Sequence, residues 1–285
     1  MGQAAAVIVA CVAVASGVAW AGAQEGVAVD GLPVIAICAA LAFAVQWIAF
    51  VPSYLKQTEH YYDLTGSLTY LSTTWLAVAL SGSLHPRAVL VAGAVSIWAV
   101  RLGTFLFRRV QRAGKDGRFD EIKTSPSKFV IAWTLQGLWV FLTLGAALAA
   151  ITTDQPTPLG WRDALGGGVW LLGFAIEVVA DRQKSTFKAE RSDDYIDTGL
   201  WSWSRHPNYF GEIVLWTGLA IVASSTLSGW AWVTMISPVF VTLLLTKISG
   251  IPMLEERADE RWGEREDYQA YKARTSVLVP WPPRD

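Results

Sequence analysis

Long apolar runs, each about the length of a bilayer crossing and separated by short polar stretches, dominate the pattern of this chain. A membrane-spanning helix needs roughly 20 consecutive, mostly apolar residues. Residues 3–23, 31–55, 67–84, 88–107, 129–152, 160–180, 211–225 and 227–247 answer that description. No Lys or Arg precedes the first run, which separates it from a secretory signal peptide and predicts a retained helix. The stretch 211–248 is too long for one crossing. Ser224-Ser225-Thr226-Leu227-Ser228-Gly229 offers turn residues at its middle and predicts a hairpin. The expected fold is all-α, a polytopic membrane helical bundle of about seven to eight transmembrane helices. A single membrane domain over 1–285 is expected, with 1–56 as peripheral N-terminal spans and 57–281 as the core.

Composition supports this reading. The 285 residues are 53% hydrophobic and only 16% charged, against about 25% charged in globular domains. Disordered, collagen-like and most soluble enzyme classes are thereby excluded. A net charge of −1 gives no attraction toward nucleic acid. Cys11 and Cys38 both lie in apolar runs, so neither a disulfide nor a metal site is expected.

The basic residues then orient the bundle. Arg108, Arg109, Arg112, Lys115, Arg118, Lys123 and Lys128 fill one connection. Arg182, Lys184, Lys188, Arg191 and Arg205 fill a second, and the tail after Lys247 holds a third group. Lys and Arg mark cytoplasmic loops, and two spans separate each basic segment from the next. Loops 108–128 and 182–209, the C-terminus and the N-terminus are therefore expected on the cytoplasmic side.

Three polar clusters fall at that side, where ionisable groups near apolar spans are informative. The first is Gln57–Ser67. Continued as helix it sets Glu59 and Asp63 four apart on one face, with Tyr62 on the flank. A carboxyl against apolar surface has its pKa raised and can donate a hydrogen bond to a substrate carbonyl; an ordinary interfacial loop is the alternative. The second is Trp98, Arg101, Phe105, Arg108, Arg109 and Arg112, a basic stripe at helical spacing in which Arg101 lies about two turns inside a span. The third begins with Glu177 and Asp181, continues through Lys184, and reaches Ser204-Arg205-His206-Pro207-Asn208-Tyr209-Phe210-Gly211-Glu212. Asn208 and Glu212 share a face at the mouth of a span, where a helix start beside cations favours phosphate. The tail adds Tyr268, Lys272 and Arg274.

The segment Ser204–Glu212, the apolar hairpin after it, Asp267-Tyr268 and Thr275-Ser276-Val277-Leu278-Val279-Pro280-Trp281 together resemble the steroid 5-alpha-reductase superfamily. The bacterial branch of steroid 5-alpha-reductase-like membrane proteins is the nearest in character. The resemblance spans roughly 57–281. It implies a bundle with a cytoplasmic-face NADPH pocket and no Rossmann fold, consistent with a chain that lacks GxGxxG and P-loop patterns. It also implies a multi-pass protein of the bacterial inner (cell) membrane that reduces a carbon–carbon double bond, conjugated to a carbonyl, in a steroid-like or other lipophilic substrate.

By matching position, the cofactor contacts of that family fall on Asp181, Asn208, Glu212 and Tyr268. Arg101, Arg112, Lys184, Arg205, His206, Tyr209 and Arg274 complete the expected NADPH-binding set. Glu59, with Tyr62, is the expected catalytic group, and Trp98 and Asp63 the substrate contacts. Trp98 stands where the family carries a Tyr, and a Trp cannot act as a phenolic acid. Membrane lipids are the other expected partners. Two further classes stay open: an isoprenylcysteine-methyltransferase-like enzyme using S-adenosylmethionine, and a transporter or structural membrane protein, which would predict internal repeats and midplane charges.

Overall fold

A computed structural model describes residues 2–82, 84–114 and 116–283. Lys115, counted above in the first basic connection, lies outside them. The apolar runs form helices α1 (Gly2–Gly22), α2 (Val34–Leu55), α3 (Tyr62–Ser81), α4 (Pro86–Ala113), α5 (Pro126–Thr152), α6 (Trp161–Glu190) and α7 (Pro207–Ala223). After a 3₁₀ stretch at Gly229–Met235 come α8 (Ile236–Leu243), a π-turn at Leu244–Ile248, α9 (Ile251–Trp262) and α10 (Glu266–Arg274). The only sheet among the described residues is a two-stranded ribbon, β1 (Ala28–Val29) with β2 (Leu32–Pro33). Six segments, α1, α2, α4, α5, α6 and Gly229–Trp262, are long and apolar enough to cross a membrane. The chain is a multi-pass membrane protein.

Local sequence explains the helix ends. Proline, whose missing N–H costs nothing in a first turn, opens α4, α5 and α7 at Pro86, Pro126 and Pro207. The His85 ring caps α4 by accepting from the Ala88 N–H at 3.2 Å. Gly114 ends α4 with a left-handed φ of 76° that frees its N–H for Val110 O. The turn expected at 224–229 separates α7 from the 3₁₀ stretch, as its serines and glycine demand.

Tertiary contacts divide the chain into two compact units, 1–163 with 220–237 and 164–219 with 238–285. In the first unit α5 is the centre, buried along most of its length. Helices α1, α2, α3 and α4 and the 3₁₀ stretch pack on it, and α2 makes the largest of these contacts. Residues 1–56, read from the sequence as peripheral, thus supply two of the helices that cover the central one.

The same unit holds a buried ion pair that the sequence did not announce. Arg87, 1% exposed at the start of α4, meets Asp163 of α6 through Nε at 2.7 Å and Nη2 at 2.9 Å. Its remaining donors reach Thr157 O, Thr157 Oγ1 and Pro158 O, all at 3.0 Å. Asp163 also accepts from Gly160 N–H at 2.8 Å. Every donor direction of the guanidinium fork is used, so the 157–163 connection is fixed by one side chain.

In the second unit α6 and α7 pack glycine to backbone. A Cβ added at Gly211 would stand 2.6 Å from Glu177 N and 2.7 Å from Gly173 O. One added at Gly218 would stand 2.5 Å from Trp170 N and 2.6 Å from Gly166 O. Small residues let membrane helices approach closely where no hydrophobic force drives them together. Gly166 and Gly173 on α6, and Gly211 and Gly218 on α7, each lie seven residues apart.

Removing one member of a buried charge pair leaves the other uncompensated, a loss of about 3–5 kcal/mol. Asp163→Ala is therefore expected to lower the thermal unfolding midpoint of the detergent-solubilised protein sharply. Double replacement of Arg87 and Asp163 by apolar residues should recover part of that loss.

Candidate functional site

In the first unit, the connection before α3 and the segment after α4 hold each other. Helix α3 begins only at Tyr62, whose N–H closes a turn onto Glu59 O at 2.8 Å. The expected single helical face carrying Glu59 and Asp63 is corrected by that turn. Glu59 is 2% exposed, and its carboxylate accepts from Lys123 Nζ at 2.8 Å and from the Asp116 N–H at 3.0 Å. Burial pushes the carboxyl pKa upward, but the Lys123 ammonium and the backbone N–H groups outweigh it and hold the pKa below the usual glutamate value. The expected protonated, donating Glu59 is corrected to an ionised anchor. Hydrogen bonding to Glu59 raises the Lys123 pKa in turn.

The neighbouring candidates are also engaged. The Tyr62 ring lies 4.6 Å from Phe119 and 5.0 Å from Trp133, and its hydroxyl donates to Ala132 O at 2.9 Å. Its proton is thus committed to the backbone. Asp63, expected at the substrate, accepts from Arg118 Nη2 at 3.2 Å and lies 3.5 Å from Arg109. Arg118 also grips Asp116, through Nε at 3.0 Å and 2.9 Å. His60 Nε2 stands 2.8 Å from Gly114 O. Trp98 is 2% exposed and meets Tyr70 edge-on at 5.0 Å. The Arg101 guanidinium lies 6.0 Å from the Phe105 ring, and Arg112 is exposed in the last turn of α4. Lys123, Asp116 and Arg118 lie 55–64 residues from their partners. That separation leaves no spacing for sequence reasoning to find.

In the second unit, the glycine contact of α6 and α7 brings together two of the residues matched to the cofactor. Asn208 Nδ2 donates to Asp181 Oδ1 at 3.2 Å. Glu177 and Asp181 are 2% and 7% exposed, and Glu212 lies one turn beyond Asn208, half-buried. Lys184 Nζ sits 4.6 Å from the centre of the Trp201 ring, whose Nε1 donates to Ala180 O at 3.1 Å.

Arg205 and His206 converge on Glu255 of α9, a partner the sequence gave no reason to choose. Arg205 bonds it through Nε at 3.1 Å and Nη2 at 2.9 Å, and His206 Nε2 reaches it at 2.9 Å. The last Arg205 nitrogen donates to Lys272 O at 2.9 Å and Thr275 O at 3.2 Å, closing the C-terminus of α10. Arg205 is therefore corrected from a free phosphate ligand to a structural clamp. Burial lowers the His206 pKa more than Glu255 restores it, leaving the ring neutral near pH 7 with Nε2–H as the donor to Glu255. The same ring stacks on Tyr209 at 5.8 Å.

Tyr268 is 3% exposed and packs against Tyr195 at 5.0 Å and Trp262 at 5.9 Å, with Lys272 Nζ 5.7 Å from its ring. Burial, then the charges of Glu255 and Asp259, push its hydroxyl pKa up to about 12. Arg274, half exposed, lies 3.9 Å from Asp197. A cavity of about 510 Å³ is lined by Arg205, Lys272, Arg274, Thr275, Ser276 and Trp281, among others. Among the described residues, no group of three or more His, Cys, Asp or Glu side chains is placed to hold a metal ion.

A helical multi-pass membrane protein with a polar cluster at the start of α7 is the class that this fold and geometry define. Residues 49–275 match the family described as "Protein of unknown function (DUF1295)", and the chain belongs to that family. It is similar to an uncharacterized protein of Schizosaccharomyces pombe, 22% identical over an alignment 185 residues long that covers 53% of this chain and 54% of that protein. The chain thus matches about half the length of this curated relative. No solved structure matches it.

Two outcomes follow from this geometry. Lys123→Ala leaves Glu59 buried without its cation, an expected loss of about 1–3 kcal/mol at pH 7. Because the Glu59 pKa is lowered on folding, its contribution is present above the free value of 4.5 and fades as pH falls through the folded value. The gap in unfolding midpoint between wild type and Lys123→Ala should accordingly be wide at pH 7 and narrow toward pH 4. Gly211→Val forces α6 and α7 apart, and overpacking of this kind costs about 1–3 kcal/mol or more. A cysteine pair at positions 181 and 208 should crosslink readily in the otherwise native chain and poorly in Gly211→Val.

Proposed function

We propose that this chain is an NADPH-dependent membrane reductase of a carbon–carbon double bond in a lipophilic substrate, related in chemistry to the steroid 5-alpha-reductases. The observation that carries the reading is the hydrogen bond from Asn208 to Asp181, formed where α7 begins and beside a half-buried Glu212. An amide and two carboxylates at a helix mouth can sort the donor and acceptor edges of a carboxamide ring or a ribose. Lys184 and Arg274 supply cations for phosphate in the same unit. The lining of the cavity by Arg274, Lys272 and Ser276 suits an anionic, hydroxyl-rich ligand.

NADPH, when bound, supplies the hydride. Asn208, Asp181 and Glu212 would hold its polar ring or ribose, with Lys184 and Arg274 at its phosphates. Arg205 and His206 act one step back: both hold Glu255 of α9, and Arg205 also bonds the carbonyls of Lys272 and Thr275 at the end of α10, which lines the cavity. Tyr268 supports that wall from within an aromatic cluster. Glu59 acts at a distance from chemistry, as the ionised anchor of the 116–123 segment. On this reading the reaction takes place at the membrane, and the basic connections favour a cytoplasmic cofactor-binding face, in keeping with the bacterial inner membrane expected from the sequence.

Fluorescence titration of the purified protein with NADPH tests the reading. Asn208→Ala removes an interaction with a charged group, and an affinity loss of about tenfold or more is expected. Glu59→Gln should lower stability and leave NADPH affinity unchanged. Saturable heat-stabilisation by S-adenosylmethionine and none by NADPH would overturn the proposal.

A further inference from the structure

The chain leaves α10 as a run without a charge, Thr275-Ser276-Val277-Leu278-Val279-Pro280-Trp281-Pro282-Pro283. Ser276 pairs with Ser204 as a parallel bridge. The Arg205 N–H donates to Ser276 O at 2.8 Å, the Ser204 hydroxyl to Leu278 O at 2.7 Å and the Trp281 N–H to Trp203 O at 3.1 Å. Residues 275–281 thus form an extended strap tied along 203–205. Extended backbone sends alternate side chains to opposite sides. Ser276, Leu278 and Pro280 are half-buried, whereas Val277, Val279 and Trp281 are 43%, 54% and 67% exposed. Trp203, bonded to the strap, is 47% exposed.

Exposed apolar side chains are ordinary on a span, but the strap lies outside the spans. The nearby surface of the same unit is charged: Glu256, Arg257, Glu260, Arg261, Glu264 and Glu266 of α9, α10 and their connection are all exposed. A contiguous apolar strip in such surroundings marks an interaction surface. The backbone suits an apolar partner too. Pro280, Pro282 and Pro283 have no N–H, and the Trp281 N–H is already bonded, so the end of the strap presents no unmatched donor.

Two contacts set the depth of the strap. The apolar run of α6 ends at Ala180, before Asp181, Arg182 and Lys184. The Trp201 indole donates to Ala180 O at 3.1 Å, and Asn208 donates to Asp181 at 3.2 Å. Residues 201 and 208 therefore both stand level with the end of that run, and 203–205, which hold the strap, lie between them in the chain. Arg205, bonded to Ser276, is two residues from the first residue of α7, at most about 7 Å away. The interfacial layer on each side of a bilayer is about 5–8 Å thick. Tryptophan gathers in that layer, because its ring is apolar and its N–H polar.

We propose that the strap is an interfacial anchor: Val277, Val279, Trp281 and Trp203 insert among the lipids of the protein's own membrane, where α6 ends its crossing and α7 begins. At that level the bilayer itself meets whatever apolar surface the chain leaves open, so lipid is the occupant of the strip. Val277, Val279 and Trp281 line the same cavity as Lys272 and Arg274. One rim of that cavity is then bilayer and another is cationic, which sets a ligand held there within reach of lipophilic molecules. The anchor goes beyond the proposed function and does not rest on it.

The test uses the full chain in lipid nanodiscs with one added cysteine at a time, Val277→Cys, Val279→Cys or Trp281→Cys, carrying an NBD fluorophore. Asp193→Cys, at a side chain 91% exposed, is the aqueous reference. Cys11 and Cys38 are buried, and the wild type labelled in parallel supplies the background. Phosphatidylcholine spin-labelled near the head of its acyl chain is expected to quench the labels at 277, 279 and 281 severalfold more than the label at 193. Iodide in the water should quench them severalfold less. Lipid quenching no stronger than at 193 overturns the anchor. Shielding from both quenchers, the result if a second copy or another protein covers the strip, overturns it as well. All three sites are exposed, so no variant gives up a buried contact, and the three readings are independent. Depth is read without NADPH, so the outcome stands apart from the cofactor titration.

Discussion

The close approach of α6 to α7 is the contact on which the polar cluster of the second unit depends. Lipid tails are as apolar as leucine, so two membrane helices gain little by hiding apolar side chains from lipid. They gain instead from dense backbone packing, and Gly173, Gly211 and Gly218 permit it by presenting no side chain at the crossing. The helices run antiparallel there, and the same geometry carries Asp181 to Asn208 at one end. With a side chain at Gly211 this alignment would open by the width of that group.

Scarce charge is the second theme. Only 16% of the residues are charged, and most of those within or near the spans are committed to defined partners. Arg87 and Asp163 fix one connection of the first unit, and Glu59, Lys123, Asp116, Arg118 and Asp63 fix another. Arg205, His206 and Glu255 do the same for the end of the second unit. A buried ion must find its counter-ion or stay neutral. Each of these acids has cations at hydrogen-bonding distance, so several residues that look reactive in the sequence are braces in the fold. Asn208 with Asp181 lies outside these pairs.

The legible part of this protein was set by the bilayer. Length of the apolar runs located α1 through α7, although the runs begun at 88, 129 and 211 fall two to four residues inside the starts at Pro86, Pro126 and Pro207. The break at 224–229 was equally readable, because a run of serine, threonine and glycine interrupts an apolar stretch too long for one crossing. The positions of Asp181 and Asn208 at the ends of adjacent spans were readable, but their hydrogen bond to each other was not. The glycines seven apart on α6 and α7 were a readable signal of close packing that a search for GxxxG alone passes over.

What sequence could not supply was the identity of partners far apart along the chain. Helices of similar hydropathy do not reveal which one is central, and α5 holds that place through its contacts with α1 to α4. The helical spacing of Glu59 and Asp63 suggested one face and a raised pKa, but a turn separates them and Lys123, 64 residues later, ionises the first. Arg205 looked like a phosphate ligand until Glu255 of α9 claimed it. Sequence alone thus determined the membrane class, the approximate positions of α1 to α7 and the region where polar groups cluster, since these follow from local hydropathy and backbone sterics. Only the tertiary structure decided which of those groups are spent on one another, because hydrogen bonds and ion pairs depend on distances between segments that no local pattern encodes.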